Sequence, residues 1–231
     1  MNKCFIVSIL ACLISIESFA SVYTGVNLGI STVTTKKDLI YPLEMDQPRA
    51  AHFSNAYTNF HGQLLVGYDL PLTAKLAMGF EADADFFTGK SRYTINNWYF
   101  NEGISAEEQL EYGFAFFALP SYQHNDSVRF FAGPGISTNR FAIKTNHSAG
   151  NIGVSANYKK WLTGGGLKIG SITKLNNTVD LVLSYQFMQY GSITKTRVEP
   201  ITEDSLKGSY KPYTNTVLIG FRAHFPEVAS K

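Results

Sequence analysis

Three features of the 231-residue sequence predict an all-β fold: an eight-stranded antiparallel up-and-down transmembrane β-barrel with short periplasmic turns and four long surface loops. Eight segments alternate apolar and polar residues with a period of two, as strands with two different faces do. The connections between them alternate short and long, which is typical of outer-membrane barrels. Only 16% of residues are charged while 14% are aromatic, and so many large apolar side chains argue against disorder.

The first twenty residues have the layout of a secretory signal peptide. Lys3 precedes an uncharged run over residues 5–16, and Ser18-Phe19-Ala20 offers small residues at the two positions that a signal peptidase reads. This run is too short to span a bilayer as a helix. We therefore expect residues 1–20 to be removed and residues 21–231 to form one outer-membrane β-barrel domain.

Both cysteines, Cys4 and Cys12, lie in this leader segment. The exported chain would then have no thiol, no disulfide and no cysteine metal site. Lipidation of Cys12 is the alternative, but the apolar run continues past that residue, which favours an ordinary signal peptide.

The predicted strands follow one another along the whole remaining chain. On one face of each strand every residue is apolar or small, and none is charged. The apolar face of the fourth strand, for example, begins at Leu110 and continues through Tyr112, Phe114, Phe116 and Ala118. The eight segments are 22–31, 59–69, 75–87, 110–122, 128–136, 161–169, 179–187 and 217–225.

The size of the side chains decides which face points outward. The interior of an eight-stranded barrel is just wide enough for side chains to fill it, so it cannot hold Trp161 and most of the phenylalanines. We therefore expect the apolar face, including Phe80, Leu183 and Phe221, to meet lipid. The opposite face, rich in Gly, Ser and Asn with a few charges, would face the axis. A charge on the lipid face would cost roughly 2–4 kcal/mol at the bilayer midplane.

The connections support this arrangement. An even number of strands places both termini on the periplasmic side, where the turns are short. Proline removes a ladder hydrogen bond, so we expect a β-bulge at Pro134. The short links are 71–74, 124–127 and 173–178, and the long ones are 32–58, 88–109, 139–159 and 192–212.

Several short stretches resemble one family, namely Val22-Tyr-Thr-Gly-Val-Asn-Leu-Gly, Gly67-Tyr68, Ala132-Gly-Pro-Gly, Leu183-Ser-Tyr-Gln-Phe and Gly220-Phe-Arg-Ala-His-Phe. The sequence is similar to small bacterial outer-membrane β-barrels of the OmpA/OmpX type, which include porin-like surface antigens of Gram-negative bacteria. This resemblance implies residence in the cell outer membrane, contact with its lipid and lipopolysaccharide, and insertion by the barrel assembly machinery through the C-terminal strand, where Phe225 is the closing aromatic residue.

Three acidic residues, Glu81, Asp83 and Asp85, share one face of the third strand. They could bind a cation together, but buried charges need partners. We favour pairing with basic residues in the lumen and predict no metal site and no cofactor. The expected partners are Arg129, Lys168 and Arg222, with Glu111 and Asp180 joining the network.

One motif offers a candidate for catalysis. His52-Phe-Ser-Asn resembles the His-x-Ser-Asn stretch of the outer-membrane lipid A 3-O-deacylase, which implies Ser54 as nucleophile and His52 as general base. Here, however, the motif precedes the second strand, and the nearest downstream carboxylate, Asp69, lies at the far end of that strand. We predict no catalytic residue and no enzyme activity, with the hydrolase as an alternative.

The predicted function is therefore structural or interactive. The formal net charge of +2 provides no basic excess for nucleic acid. We expect a monomer whose surface loops serve membrane integrity, adhesion or interaction with a host ligand, for which the aromatic stretch Trp98-Tyr99-Phe100 is one candidate. A small pore is a second alternative, although a filled lumen argues against it.

Overall fold

The computed structural model describes residues 21–41, 49–97, 102–149, 152–198 and 205–225. The predicted leader segment and Trp98-Tyr99-Phe100 lie outside these ranges. Among the described residues no helix is long and apolar enough to cross a membrane. The strands are β1 (Ser21–Tyr41), β2 (Arg49–Pro71), β3 (Leu76–Phe87), β4 (Ser91–Asn97), β5 (Glu102–Gln123), β6 (Val128–Ala149), β7 (Ile152–Lys174), β8 (Val179–Tyr190), β9 (Ile193–Val198) and β10 (Ser205–His224).

Eight of these strands form a closed antiparallel ring. The order is β1-β2-β3-β5-β6-β7-β8-β10, and β10 pairs with β1 to close the barrel. Val26, for instance, lies opposite Leu64 on one side and Phe221 on the other. The eight-stranded up-and-down barrel that the sequence predicts is thus confirmed.

The orientation of the strand faces is also as predicted. The relative exposure is 39% for Phe80, 52% for Leu183 and 51% for Phe221, all on the outside, while Lys168 and Glu81 on the inside are fully buried. An exposed apolar surface of this extent is what a lipid-facing barrel wall requires.

Leu110 is a correction to that pattern. It is fully buried rather than lipid-facing, because the register between β5 and β6 shifts between Leu110 and Gly113. A β-bulge inserts an extra residue and so reverses the phase of the alternation. The lipid-facing residues of β5 are therefore Tyr112, Phe114 and Phe116.

The bulge predicted at Pro134 is wrong. The β5–β6 pairs on either side, Phe117 with Gly135 and Ser121 with Phe131, are in the same register. On the β7 side Pro134 lies opposite Leu167 in an unbroken ladder. The β5–β6 pairing is interrupted at this proline without any inserted residue, so the missing N–H is accommodated without a change of phase.

The prediction of four long loops is corrected as well. The short turns at 72–75, 124–127 and 175–178 occur as expected, but most residues assigned to long connections continue the strands. A membrane needs only about 9–11 residues per strand, and β1, β2, β5, β6, β7 and β10 are each about twice that length. The surface structure is therefore built from extended β-strands.

Above the membrane the ring opens along two seams. The β2–β3 ladder ends at His61 and Phe87, and the β7–β8 ladder ends at Gly164 and Tyr190. Beyond these points β4 pairs with β5 and β9 pairs with β10, and no β2–β4 or β7–β9 ladder is formed in the described part of the chain. Two four-stranded sheets result.

We call these the first upper sheet and the second upper sheet. The first upper sheet has the order β2-β1-β10-β9, and the second has the order β4-β5-β6-β7. The first consists of residues 49–60, 32–41, 205–213 and 193–198, and the second of residues 91–97, 102–110, 139–149 and 152–163.

Candidate functional site

The centre of the lumen holds a compact group of buried charges. Lys168 Nζ lies 2.6 Å from Glu81 Oε1 and 2.9 Å from Asp83 Oδ2, and Arg222 Nη2 lies 2.7 Å from Glu81 Oε2. These side chains come from β3, β7 and β10, and they meet because each occupies an inward position of its strand. Two cations around two carboxylates satisfy the pairing that buried charges need.

Neutral polar side chains extend this group across the lumen. Gln63 accepts a hydrogen bond from Asn27 Nδ2 at 2.7 Å and from Lys168 Nζ at 3.1 Å, and it donates to Asp85 Oδ1 at 2.9 Å. Tyr23 donates to Glu81 Oε2 at 3.1 Å. Polar side chains from several strands are therefore joined by hydrogen bonds at this level of the lumen, which we call the polar cross-section. Such networks hold their members in one arrangement.

The predicted pairing of the third acidic residue is wrong in its partner. Asp85 contacts neither Lys168 nor Arg222; its Oδ1 lies 2.9 Å from His61 Nε2, with Gln63 as the second partner. Among the described residues no group of three or more His, Cys, Asp or Glu side chains is arranged to bind a metal. The pairing of charged side chains in the lumen depends on the stagger between strands, and the sequence alone does not give that stagger.

Three further residues of the predicted network lie elsewhere. Arg129 Nη2 pairs with Asp69 Oδ2 at 2.6 Å near the periplasmic end. Asp180 Oδ2 lies 2.7 Å from His224 Nε2 in the same region.

Glu111 lies outside the barrel, where Arg140 and Lys159 contact it, because the β5 bulge turns it outward. His61 and Asp69 were not predicted as partners, although both occupy inward positions of β2.

A second buried charge pair lies higher, between the upper sheets. Lys37 Nζ of the first upper sheet lies 2.8 Å from Glu108 Oε1 of the second, and both side chains are buried. Lys37 Nζ also lies 3.4 Å from the centroid of the Tyr93 ring, and Tyr93 donates to Glu108 at 3.0 Å. Burial lowers the pKa of Lys37 and raises the pKa of Tyr93.

Apolar side chains fill the space between this pair and the polar cross-section. The backbone N–H of Leu110 donates to Tyr57 Oη at 2.8 Å, which ties the second upper sheet to the first. Buried apolar side chains of the upper sheets and of the adjoining part of the barrel thus form one hydrophobic core. Its buried members include Val33, Leu110, Phe141, Ile143, Leu162, Met188 and Ile193.

The candidate catalytic pair lies far from this interior. His52 and Ser54 are on the outward face of the first upper sheet, and the side chain of His52 is 71% exposed. His52 Nδ1 lies 2.7 Å from Asp38 Oδ1, a partner that the sequence analysis missed because only the β1–β2 register places Asp38 opposite His52. No hydrogen bond joins His52 to Ser54 in the part of the chain that the structure describes.

Comparison with known proteins agrees with this architecture. The family model "Outer membrane protein beta-barrel domain" matches residues 7–225. The chain belongs to this family. Its place is accordingly the cell outer membrane. A search of curated proteins finds no match.

Several solved structures are similar to this chain. A major outer membrane protein from Thermus thermophilus is 14% identical, with 89% of this chain and 99% of that chain covered and a TM-score of 0.52. OprG from Pseudomonas aeruginosa is 13% identical, with 91% and 99% covered and a TM-score of 0.47. Ail, the attachment invasion locus protein of Yersinia pestis, is 9% identical, with 86% and 98% covered and a TM-score of 0.36. At these identities the similarity shows the fold alone.

Proposed function

We propose that this protein is a non-catalytic integral outer-membrane barrel whose function is carried by its two upper sheets at the cell surface. The observation that supports this most directly is the filled lumen. The Lys168–Glu81–Arg222 group occupies the barrel at membrane height, and the hydrophobic core occupies it above. A barrel filled in this way is an anchor, and its extended strands remain for membrane integrity, adhesion or contact with a host ligand.

Cells with and without the protein test this role. Deletion should reduce attachment to host cells if the upper sheets are an adhesin, or reduce survival in detergent if they support membrane integrity, and a plasmid copy should restore the lost property. If neither property changes, the surface role is contradicted.

The alternative of a small pore predicts a different result. In a planar bilayer we expect the purified protein to give no unit conductance steps in the nanosiemens range, because buried side chains occupy the lumen at successive levels. A large porin reconstituted in the same way is the positive control. Regular steps from this protein would contradict the filled lumen.

The alternative of lipid A deacylation is tested at Ser54. A serine hydrolase needs its base within hydrogen-bonding reach of the nucleophile and donors for the oxyanion. We expect mass spectrometry of lipid A to show the same number of acyl chains for the wild type, for Ser54→Ala and for Thr58→Ala, an exposed control on the same face. A change confined to Ser54→Ala would establish the hydrolase.

We further infer that the protein is a monomer, inserted through its C-terminal strand by the barrel assembly machinery. Phe225 follows β10 directly, is exposed, and its N–H donates to the Val22 carbonyl at 3.1 Å. Phe225→Ala should lower the fraction of heat-modifiable, folded protein in the outer-membrane fraction, while the mass of the purified protein in detergent should correspond to one chain.

A further inference from the structure

Two clusters of charge lie on the outer face of the second upper sheet and at its membrane-side edge. In one, Arg140 Nε and Lys159 Nζ contact Glu111 at 3.1 and 3.0 Å. In the other, Lys90 Nζ and Arg92 Nε contact Glu107, both at 2.9 Å. Because two cations share one carboxylate in each case, each cluster keeps one positive charge.

The cations are the outermost parts of these clusters. The carboxylates are 18% exposed at Glu111 and 21% at Glu107, whereas the cationic side chains range from 33% at Arg140 to 71% at Arg92. Lys144 is also exposed and lies opposite Glu107 in the β5–β6 register. The positive potential of this face is therefore directed away from the barrel wall.

Arg140 is held at the height where the lipid-facing surface ends. Its Nη1 donates to Tyr112 Oη at 2.6 Å, and the Tyr112 ring meets Trp161 edge to face with centroids 5.6 Å apart. The ten residue-to-residue steps of β6 between Phe130 and Arg140 rise about 25 Å when the strand tilts by about 40°, and this is the height of the apolar band in such barrels. Aromatic residues at this level form the interfacial girdle.

The β5 bulge builds this arrangement. Without it, Glu111 and Tyr112 would point to opposite sides of the wall, as successive strand residues do. The register shift between Leu110 and Gly113 allows Glu111 and Tyr112 both to reach Arg140. Glu111 contacts Nε and Tyr112 contacts Nη1, so these two contacts leave donors of the five-donor guanidinium for a further anion.

We propose that this face binds the phosphorylated headgroup of an outer-leaflet lipid. The phosphate contacts Arg140 and Lys159, and the acyl chains lie below it against the exposed Phe114 and Trp161. A guanidinium beside an ammonium matches the charge and the acceptor geometry of phosphate. The aromatic surface continuous with the cations selects a lipid rather than a soluble anion. This site goes beyond the proposed function, since it rests only on residence in the membrane.

Native mass spectrometry of the detergent-solubilised protein tests the proposal. The protein is incubated with a bis-phosphorylated glucosamine lipid, and the fraction that retains lipid is measured for the wild type and for Arg140→Gln/Lys159→Gln. Loss of two interfacial cations should weaken retention roughly tenfold or more. The charge-matched control is Lys75→Gln/Lys174→Gln, whose exposed lysines lie at the periplasmic end and whose retention should equal that of the wild type. Heat-modifiable gel mobility confirms that each variant is folded.

Two further probes separate phosphate recognition from general adhesion. The same lipid stripped of its phosphates should bind the wild type about as weakly as the phosphorylated lipid binds the double variant. Inorganic phosphate at millimolar concentration should not displace the lipid. Equal retention of both lipid forms, equal losses in both double variants, or displacement by inorganic phosphate would each overturn the site.

Discussion

Gly113 shows how a single residue makes the β5 bulge possible. A Cβ atom at this position would lie 1.6 Å from Asn139 Oδ1 and 2.2 Å from the Thr138 carbonyl oxygen. Asn139 cannot move away easily, because it is buried and donates to Tyr190 Oη at 2.8 Å. The glycine is therefore required by the close approach of β6, and the bulge next to it places Glu111 outside and Leu110 inside.

We expect Gly113→Ala to lower the free energy of unfolding by about 1–3 kcal/mol, because the added methyl group must displace backbone or a buried amide. The control is Gly62→Ala, where a Cβ would meet only Leu28 Cδ2 at 3.9 Å and Phe60 Cε1 at 4.0 Å, and where a change within about 0.5 kcal/mol is expected. Urea titration in lipid vesicles, followed by tryptophan fluorescence, measures both. Equal destabilisation of the two variants would contradict the close approach at Gly113.

At the scale of the element, the polarity of the strands inverts at the membrane edge while their geometry continues. In β1 the outward residue changes from the apolar Ile30 to Lys36, and the inward residue changes from Asn27 to Val33. Below the edge the outside meets lipid, and above it the outside meets water while the inside becomes a core. The extended strands therefore obey the rule of a soluble β-sandwich on top of a membrane barrel.

This inversion explains what the sequence could and could not predict. The membrane segments of the strands were evident because lipid excludes charge from every second residue. The extensions were not, because Thr35, Lys36 and Lys37 are polar on both faces and give no period of two. Within the lumen, Lys168, Arg222 and Glu81 were identified as interior charges, but their heights depend on strand stagger, so partners such as Asp69 for Arg129 required coordinates.

The Lys37–Glu108 pair gives the upper sheets a pH dependence. Burial lowers the folded-state pKa of Lys37 below its ordinary value of 10.5, so between the lowered value and pH 10.5 the unfolded chain binds more protons than the folded one. Stability should therefore rise with pH in that window. Above pH 10, the ordinary value for tyrosine, the raised pKa of Tyr93 acts in the opposite direction.

Thermal unfolding between about pH 7 and about pH 9.5 measures this effect. We expect the unfolding temperature of the wild type to rise toward the alkaline end relative to Lys37→Met/Glu108→Gln, in which neither partner titrates. Lys37→Met alone should be less stable than the double variant, because it leaves Glu108 buried without its cation. Parallel pH profiles for the wild type and the double variant would be inconsistent with a buried, titrating Lys37.

At the scale of the whole molecule, the turns lie at one end of the barrel and the upper sheets at the other. Both described ends of the chain, Ser21 and Phe225, lie with the turns. In the outer membrane the turns should face the periplasm and the upper sheets the exterior.

Cysteine labelling tests this orientation, because residues 21–231 contain no cysteine. Asn157→Cys, exposed in the second upper sheet, should react with a membrane-impermeant maleimide on intact cells. Thr73→Cys, exposed in the first turn, should react only after the outer membrane is permeabilised. The reverse labelling pattern would mean that the turns face the exterior and the upper sheets face the periplasm.

The inversion of polarity also fixes how deeply the barrel is inserted in the bilayer. If the barrel moved toward the periplasm by the length of two strand residues, Arg140 and Lys159 would enter hydrocarbon. If it moved outward by the same distance, Phe114 and Trp161 would be exposed to water. Either displacement costs free energy, so the height of the apolar band fixes the bilayer thickness that this barrel fits best. A thinner or thicker host membrane would have to deform around this protein rather than the protein shift within it.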